Sequence, residues 1–157
     1  MTQPGDSSER YRLGAALDFL QRLWQLNHAL EKVSSRMKKR LGVTVQQWLI
    51  LRCVGKYPGM TAGHLANLLH VDPGTVSASL RRLESKGLLE RRRDPRDQRR
   101  ASLGLTSEGR ALDHPDEGTV ERAVERLLDR VPADELATMG RVVDLLTVLV
   151  DEESQRE

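Results

Sequence analysis

Aromatic residues are scarce in this chain of 157 residues: two tryptophans, two tyrosines and one phenylalanine make up 3% of it. A hydrophobic core must therefore be built mainly from Leu, Val and Ala. Cysteine is scarcer still, because Cys53 stands alone and excludes an internal disulfide framework. We expect Cys53 to be a small buried hydrophobic residue; a redox sensor is the lesser alternative, since no neighbouring base or cation-rich site activates the thiol.

Several other signals are missing. No run of 18 apolar residues occurs, so no membrane-spanning helix is expected. The first residues, MTQPGDSSERYR, lack an apolar signal region, which makes a cytoplasmic location the expectation. A glycine-rich phosphate loop, a G-x-S-x-G motif and a paired His–carboxylate motif are all absent, so we expect no enzyme and no cofactor. The four histidines form no HxxxH pair and no CxxC occurs, so no metal site is expected.

Charge is present in quantity but is unevenly placed, although the net charge is only +2. Residues 81–100 hold nine basic and four acidic side chains, whereas residues 111–157 hold five basic and thirteen acidic ones. Such asymmetry indicates a face that binds a polyanion. The alternative is an ordinary solvated charged face.

Residues 61–87 predict two short helices joined by a tight turn. Thr61 is a typical N-cap of the first helix, whose Leu65, Leu68 and Leu69 are expected to point inward. A compact apolar helix pair of this kind is typical of a helix-turn-helix, in which the first helix braces the second across the DNA backbone.

The second of these helices, residues 72–86, has one apolar face and one face of small, polar and basic residues. Its predicted buried stripe consists of Val76, Leu80 and Leu83. The candidate DNA-binding residues on the outer face are Gly74, Thr75, Ser77, Ala78, Arg81 and Arg82. Because a major groove admits one α-helix, small residues let such a helix approach the base edges, and Arg81 can reach a guanine or a phosphate.

An arginine-rich β-hairpin is predicted next, with strands at residues 88–93 and 100–105. Arg96, at the hairpin tip, is expected to enter a minor groove, where the negative potential is strongest if the groove is narrow. The candidate phosphate contacts are Arg91, Arg92, Arg93, Arg99 and Arg100.

Helices with apolar stripes are predicted at both ends of the chain. The last helix has two adjacent stripes, which is more apolar surface than one neighbouring helix covers, so we favour a dimer over an intrachain core. The candidate dimerisation residues are Leu13, Leu17, Leu136, Met139, Val143, Leu146 and Val150. The second stripe consists of Val142, Leu145 and Leu149. Trp24 and Trp48 either line a pocket for an aromatic ligand or are core residues.

Three segments together resemble the multiple-antibiotic-resistance regulator (MarR) family. DPRDQRRASLGLTSEG is similar to that family's wing and following helix start, with its D-x-R element at Asp97 and Arg99. TVSASLRRLESKGLL resembles the recognition helix, and TVQQWLILRCVGKYPGMTAGHLANLL resembles the two helices before it. The resemblance extends over roughly residues 12–150. The segment LDHPDEGT departs from it by interrupting what is usually a long fifth helix.

The resemblance implies a mainly α fold with a small β-hairpin wing, a winged helix-turn-helix whose terminal helices form a dimerisation domain. It implies one domain over residues 9–157, with the DNA-binding lobe at about 44–106 and dimerisation helices at about 9–41 and 119–153. Residues 1–8 are expected to be disordered. Asp97 and Arg99 would stabilise the wing, and Arg99 can contact DNA.

The implied function is a homodimeric repressor bound to double-stranded DNA at a pseudo-palindromic operator. A small lipophilic or aromatic anion is the implied effector. A winged-helix module that binds proteins without reading DNA is the alternative, and the arginine-rich wing argues against it.

Overall fold

The computed structural model describes residues 14–93, 101–114 and 116–156 of the chain. It divides into two compact units, Met1–Asp113 and His114–Glu157. The described elements of the first unit are α1 (Ala15–Leu41), α2 (Val45–Lys56), α3 (Ala62–Leu69), α4 (Pro73–Ser85), β1 (Leu89–Arg93), β2 (Ala101–Leu105) and α5 (Ser107–Ala111). Those of the second unit are α6 (Val120–Leu128) and α7 (Ala133–Ser154). The structure is mainly helical with one small antiparallel sheet, as the sequence predicts.

Local capping chemistry sets the helix boundaries of the first unit. Gly42 ends α1 in the left-handed conformation, with φ at 74°, which a residue without a Cβ adopts at little cost. Thr44 and Gln47 form a capping box at the start of α2. Asp72 caps α4, and Pro73 occupies its first turn, where a missing N–H costs no hydrogen bond. These boundaries confirm the predicted ones.

The hydrophobic core of the first unit lies between the helices and the sheet. Its fully buried side chains include Met37, Ile50, Leu51, Leu65, Leu80, Leu83 and Leu103. In α3, Leu65 and Ala66 are buried and Leu69 is half-buried, but Leu68 is exposed. The expectation that Leu68 points inward is wrong, because α3 is short and presents to the core only the narrow stripe of Leu65, Ala66 and Leu69.

The wing is a two-stranded hairpin whose base is tied to the helices. Leu89 pairs with Leu105 and Arg91 with Leu103 in its antiparallel register. Leu89, Leu103 and Leu105 are buried, so one face of the hairpin contributes to the core. The Leu103 amide also donates to the carbonyl of Met60 at 2.7 Å. This bond fixes the hairpin base against the turn before α3.

The interruption predicted from LDHPDEGT is present. The short helix α5 ends at Ala111, and α6 begins at Val120 after Thr119, whose hydroxyl accepts a hydrogen bond from the amide of Arg122. In the second unit, α6 and α7 follow one another across Pro132, and Thr119 is the one buried residue among those described there. Most apolar side chains of α6 and α7 are therefore exposed in the single chain.

Candidate nucleic-acid interface

Helix α4 carries the sequence-predicted reading face on the side away from the core. Val76, Ser79, Leu80 and Leu83 are buried, which confirms the predicted stripe and adds Ser79 to it. The outer residues Gly74, Thr75, Arg81 and Arg82 are exposed, and Ser77 and Ala78 are half-buried at the edge of this face. The small residues thus lie towards the N-terminal end of α4 and the two arginines lie towards its C-terminal end.

The N-terminal end of α4 is held by its cap. The Asp72 carboxylate accepts hydrogen bonds from the amide of Thr75, at 2.9 Å, and from the Thr75 hydroxyl. The bond from the Thr75 side chain, followed by the backbone amides, lowers the pKa of Asp72 below its ordinary value. Gly74 leaves the room that this carboxylate needs, because a Cβ there would lie 2.9 Å from Asp72 Oδ1. The reading face therefore begins with a fixed backbone.

Two of the predicted phosphate contacts are engaged with carboxylates in the free chain. Arg91 Nε lies 2.7 Å from Glu84 Oε1, which joins β1 to α4. Arg92 Nη2 lies 2.6 Å from Glu90 Oε1 on the other face of the hairpin. The Arg92–Glu90 pair is exposed and the Arg91–Glu84 pair is partly exposed, so both contribute little to stability and can exchange partners. The sequence predicts the two arginines as phosphate contacts, but it does not reveal Glu84 and Glu90 as their partners.

The partner of Arg92 was detectable in the sequence, because residues two apart on a strand share a face. The partner of Arg91 was not, because the contact depends on how β1 turns back along α4. The side chain of Arg93 lies outside the described residues, as do Arg96, Asp97, Arg99 and Arg100. Their roles in the wing stay predictions.

The two tryptophans have different environments. Trp48 is only 3% exposed and belongs to the core, with the Arg52 guanidinium 5.7 Å from its ring centre. Trp24 is 66% exposed on α1 and stacks on His28, with 5.6 Å between ring centres. Trp48 is the core residue that the sequence allowed, whereas Trp24 is not a core residue of the single chain. A ligand pocket that includes both stays a prediction.

A different cavity, of about 200 Å³, opens at the base of the wing within the first unit. Its walls include Gly55, Arg92, Gly104, Arg110 and Asp113. Arg110 donates to the carbonyl of Leu105 at 2.8 Å, which holds its guanidinium in the cavity wall. Two arginines beside glycine backbone form a setting suited to a small anion.

Asp113 is fixed beside α2 in the first unit. Its carboxylate lies 2.6 Å from Arg52 Nη1, and both side chains are about three-quarters buried. Gly55 makes the approach of Asp113 possible, since a Cβ at Gly55 would collide with that carboxylate. The position where the chain leaves α5 is therefore specified by one ion pair and one glycine.

Most candidate dimerisation residues are exposed in the single chain. Leu17, Met139, Val143 and Val150 are exposed, as are Val142, Leu145 and Leu149 of the second stripe. Leu136 and Leu146 are half-buried, and Leu13 lies outside the described residues. A long exposed apolar stripe of this kind is typical of a surface that associates with another molecule.

Other candidate sites have less support. Burial raises the pKa of the Cys53 thiol, and the nearby Lys56 and Arg52 offset this effect only in part. A protonated thiol is a poor redox nucleophile, which favours the packing role. Within the described ranges, no group of three or more His, Cys, Asp or Glu side chains is placed to bind a metal ion. None of the helices described is both long and apolar enough to cross a membrane.

Comparison with known proteins places this geometry in a family. The MarR family model matches residues 43–101, from the turn before α2 into β2. The chain is 29% identical over 124 residues to the HTH-type transcriptional repressor Rv2887 of Mycobacterium tuberculosis, which covers 79% of this chain and 89% of that relative.

Two solved structures show the same arrangement. One is the crystal structure of Streptococcus pneumoniae FabT in complex with DNA, with a TM-score of 0.65 and 26% identity over 88% of this chain and 99% of that one. The other is the S. aureus MepR–DNA complex, with a TM-score of 0.67 and 25% identity over 85% of this chain and 97% of that one. Residues 43–101 therefore form a MarR-family domain, and the fold of the chain is that of a winged helix-turn-helix protein.

Proposed function

We propose that this protein is a homodimeric DNA-binding transcriptional regulator that acts as a repressor at a pseudo-palindromic operator. The observation that carries the proposal is the outer face of α4, where small residues and two arginines are exposed above a fully buried stripe. The relative Rv2887 is named a transcriptional repressor, and two structural neighbours were solved on DNA. These comparisons support the same function.

In this proposal α4 enters a major groove with its N-terminal half closest to the bases. The small Gly74, Ser77 and Ala78 permit close approach, and Arg81 reaches a guanine edge with two hydrogen bonds. The Asp72 carboxylate caps the same end of α4. The amide of Thr75 is therefore hydrogen-bonded within the protein and does not bind a phosphate. A base contact specifies sequence, whereas a phosphate contact only positions the protein.

The wing supplies the second set of contacts. Arg91 and Arg92 exchange their partners Glu84 and Glu90 for phosphate oxygens when DNA binds, and Arg96 enters the flanking minor groove. Each exchange replaces an exposed ion pair by another, so the net gain comes from released counterions and depends on salt. Arg93, Arg99 and Arg100 add phosphate contacts of the same kind, and Asp97 with Arg99 stabilises the hairpin.

A second copy of the chain covers the exposed stripes of the terminal helices. A two-fold dimer requires two half-sites about one helical turn apart, roughly 34–36 Å centre to centre. The whole length from residue 9 to residue 157 then acts as one functional domain, in which the DNA-binding lobe, about residues 44–106, lies between the dimerisation helices along the sequence.

A small lipophilic or aromatic anion acts as the effector in this proposal. The cavity at the base of the wing supports an anionic ligand, since Arg92 and Arg110 lie in its walls. An effector releases DNA only to the extent that it binds the two states with different affinity. Displacement of labelled DNA by a series of hydroxybenzoates, with Arg110→Ala as the test variant, would measure that difference.

The alternative is a winged-helix module that binds proteins without reading DNA. An exposed arginine pair on α4, two further arginines on β1 and the DNA complexes of the neighbours do not favour it. Binding to random duplex DNA separates the two functions, because a DNA-binding protein loses affinity steeply as salt rises.

The function is tested by selecting bound duplexes from random DNA and then comparing Arg81→Ala with Arg92→Ala. Arg81→Ala is expected to lower affinity for the selected site far more than for random duplex. Arg92→Ala is expected to lower both by a similar factor and to reduce the salt slope by about one unit. No selected sequence, or equal binding to all duplexes, would contradict a sequence-specific regulator. Equal losses by both variants would instead move specificity to Thr75, Ser77 and Ala78.

A further inference from the structure

The ends of three helices of the first unit meet at Lys86, which is the C-cap of α4. Its Nζ donates to the carbonyl of Gly42, at 2.5 Å, and to Oε1 of Gln47, at 2.9 Å. Gly42 ends α1, and Gln47 belongs to the first turn of α2. We call Gly42, Thr44, Gln47 and Lys86 the three-helix joint.

The acceptor side of the joint is well ordered by its own hydrogen bonds. Gln47 is 6% exposed, and its Oε1 accepts from the Thr44 amide at 3.3 Å as well as from Lys86. The Gln47 amide donates in turn to the Thr44 hydroxyl at 3.2 Å. The carbonyl of Gly42 lies at the negative end of α1, where a cation is favoured. The joint therefore offers the Lys86 ammonium two acceptors held in place.

A further bond links the same two helices. The amide of Val45 donates to the Ser34 hydroxyl at 3.2 Å, so the start of α2 is tied to the last turns of α1 independently of Lys86. Lys86 is the residue that extends this α1–α2 junction to the reading helix. It counts among the basic residues near the proposed DNA face, yet its ammonium is directed at protein acceptors 39 and 44 positions away in sequence.

We propose that Lys86 is a positioning residue that fixes the C-terminal end of the reading helix α4 to the α1–α2 junction. The proposal rests on the proposed function. Helix α1 also bears exposed apolar residues that a second copy would cover. The three-helix joint therefore couples the position of α4 to the position of α1 in the dimer. Lys86 thereby sets how the two reading helices of a dimer match the half-site spacing, and it does not bind phosphate.

Three variants separate these roles. Lys86→Met keeps the aliphatic stem and removes both hydrogen bonds. Lys86→Arg keeps a cation with several donors and is expected to retain most of the function. Gln47→Glu preserves the capping box, which accepts Glu or Gln at this position, and places a carboxylate opposite the ammonium. Lys56→Met removes an exposed lysine that has no part in the joint and serves as the matched control.

The first measurement needs no DNA. Thermal unfolding of Gln47→Glu is followed in the wild-type background and in the Lys86→Met background. Gln47→Glu is expected to raise the midpoint only where Lys86 is present, because the two side chains are directly bonded. An equal change in the midpoint in both backgrounds would show that Lys86 and Gln47 are not coupled and would overturn the proposal. If Lys86→Met does not fold, the same comparison is made in the Lys56→Met and Lys86→Gln backgrounds, where Gln47→Glu is expected to raise the midpoint only in Lys56→Met.

The second measurement uses the selected operator and versions with one base pair added to or removed from the spacer. Lys86→Met is expected to bind the cognate spacing about tenfold more weakly, equivalent to about 1.4 kcal/mol, and to discriminate less between spacings. Its salt slope is expected to equal that of the wild type. A slope reduced by about one unit with unchanged spacing preference would show a phosphate contact and overturn the proposal.

A uniform loss at every spacing, with an unchanged slope, would show a merely structural lysine and would also overturn it. Failure of the proposed function looks different: the wild-type chain itself would then bind no duplex. In that case the unfolding comparison alone decides whether Lys86 couples to Gln47.

Discussion

Two regions of the chain are built from the same aliphatic residue types. In the lobe from the end of α1 to β2 these side chains are buried, whereas in the helix pair α6–α7 most of them are exposed. All of the buried hydrophobic side chains that the structure describes lie between Met37 and Leu105. In α6 and α7 most of the apolar residues remain exposed, and Leu145 is 61% exposed. A single chain therefore completes its reading lobe by itself. We infer that the helix pair is completed by a second copy, because burial of such a stripe is strongly favourable.

The largest expected effect comes from Leu145→Asp. A carboxylate buried without a partner costs several kcal/mol, so dimer formation and operator binding should both be lost. Leu145 is a sharper choice than Leu146, which is already half-buried in the single chain. Ala137→Asp is the matched control, since it adds the same charge at an exposed position of α7 that lies outside both apolar stripes. Light scattering measures the mass of both variants, and a dimeric Leu145→Asp that still binds DNA would show that this stripe of α7 is not the dimer interface.

The next effect separates folding of the lobe from association of two protomers. Leu80→Ala removes a fully buried side chain from the lobe and should lower the free energy of unfolding by about 2–5 kcal/mol, without changing how tightly protomers associate. Leu149→Ala, on an exposed stripe of α7, should weaken association and leave the lobe intact. Urea unfolding and sedimentation at several concentrations test both. If Leu149→Ala leaves the monomer–dimer equilibrium unchanged, that stripe has no partner.

A smaller effect tests how the lobe is closed at Asp113. Gly55→Ala should displace the Asp113 carboxylate from Arg52 and destabilise the protein by about 1–2 kcal/mol. Gly63→Ala, at an open helical position, should instead stabilise it by up to about 1 kcal/mol. In an Asp113→Ala background the effect of Gly55→Ala should change sign. Chemical denaturation measures the stability of Gly55→Ala, Gly63→Ala, Asp113→Ala and the double variant. If Gly55→Ala is destabilising in both backgrounds, its effect does not arise from Asp113.

The smallest effect is a pH dependence at the start of α4. The folded pKa of Asp72 is lowered by its bonds to Thr75, so its contribution is present above the ordinary Asp pKa of about 3.9 and disappears as pH falls through the lower folded value. Asp72→Asn keeps a cap that does not titrate. The difference in midpoint between wild type and Asp72→Asn should therefore shrink on acidification. A difference that stays constant from about pH 6 to pH 3 would refute this role.

Sequence reasoning succeeded where neighbours along the chain decide the structure. Helices end or begin at Gly42, Thr44, Asp72 and Gly87, close to the predicted bounds of 9–41, 44–106 and 72–86, because a cap depends on residues three or four positions away. The MarR family and the winged fold were likewise predicted, since the wing and the recognition helix have recognisable local patterns.

It failed where packing decides. Leu68 and Trp24 lie on apolar stripes that a helical wheel cannot distinguish from core positions, yet both are exposed. The contacts of Lys86 with Gly42 and of Glu84 with Arg91 depend on how separate elements meet. The same limit applies to the dimerisation residues, because a sequence does not state whether an apolar stripe is covered by its own chain or by another.

The mass of the wild-type protein, alone and on one operator duplex, shows whether two copies of the chain bind DNA together. Light scattering should give twice the chain mass of 17.7 kDa for the free protein, and the complex should add one duplex to that dimer. A species of 17.7 kDa that binds a single half-site as tightly as the full operator would contradict the account.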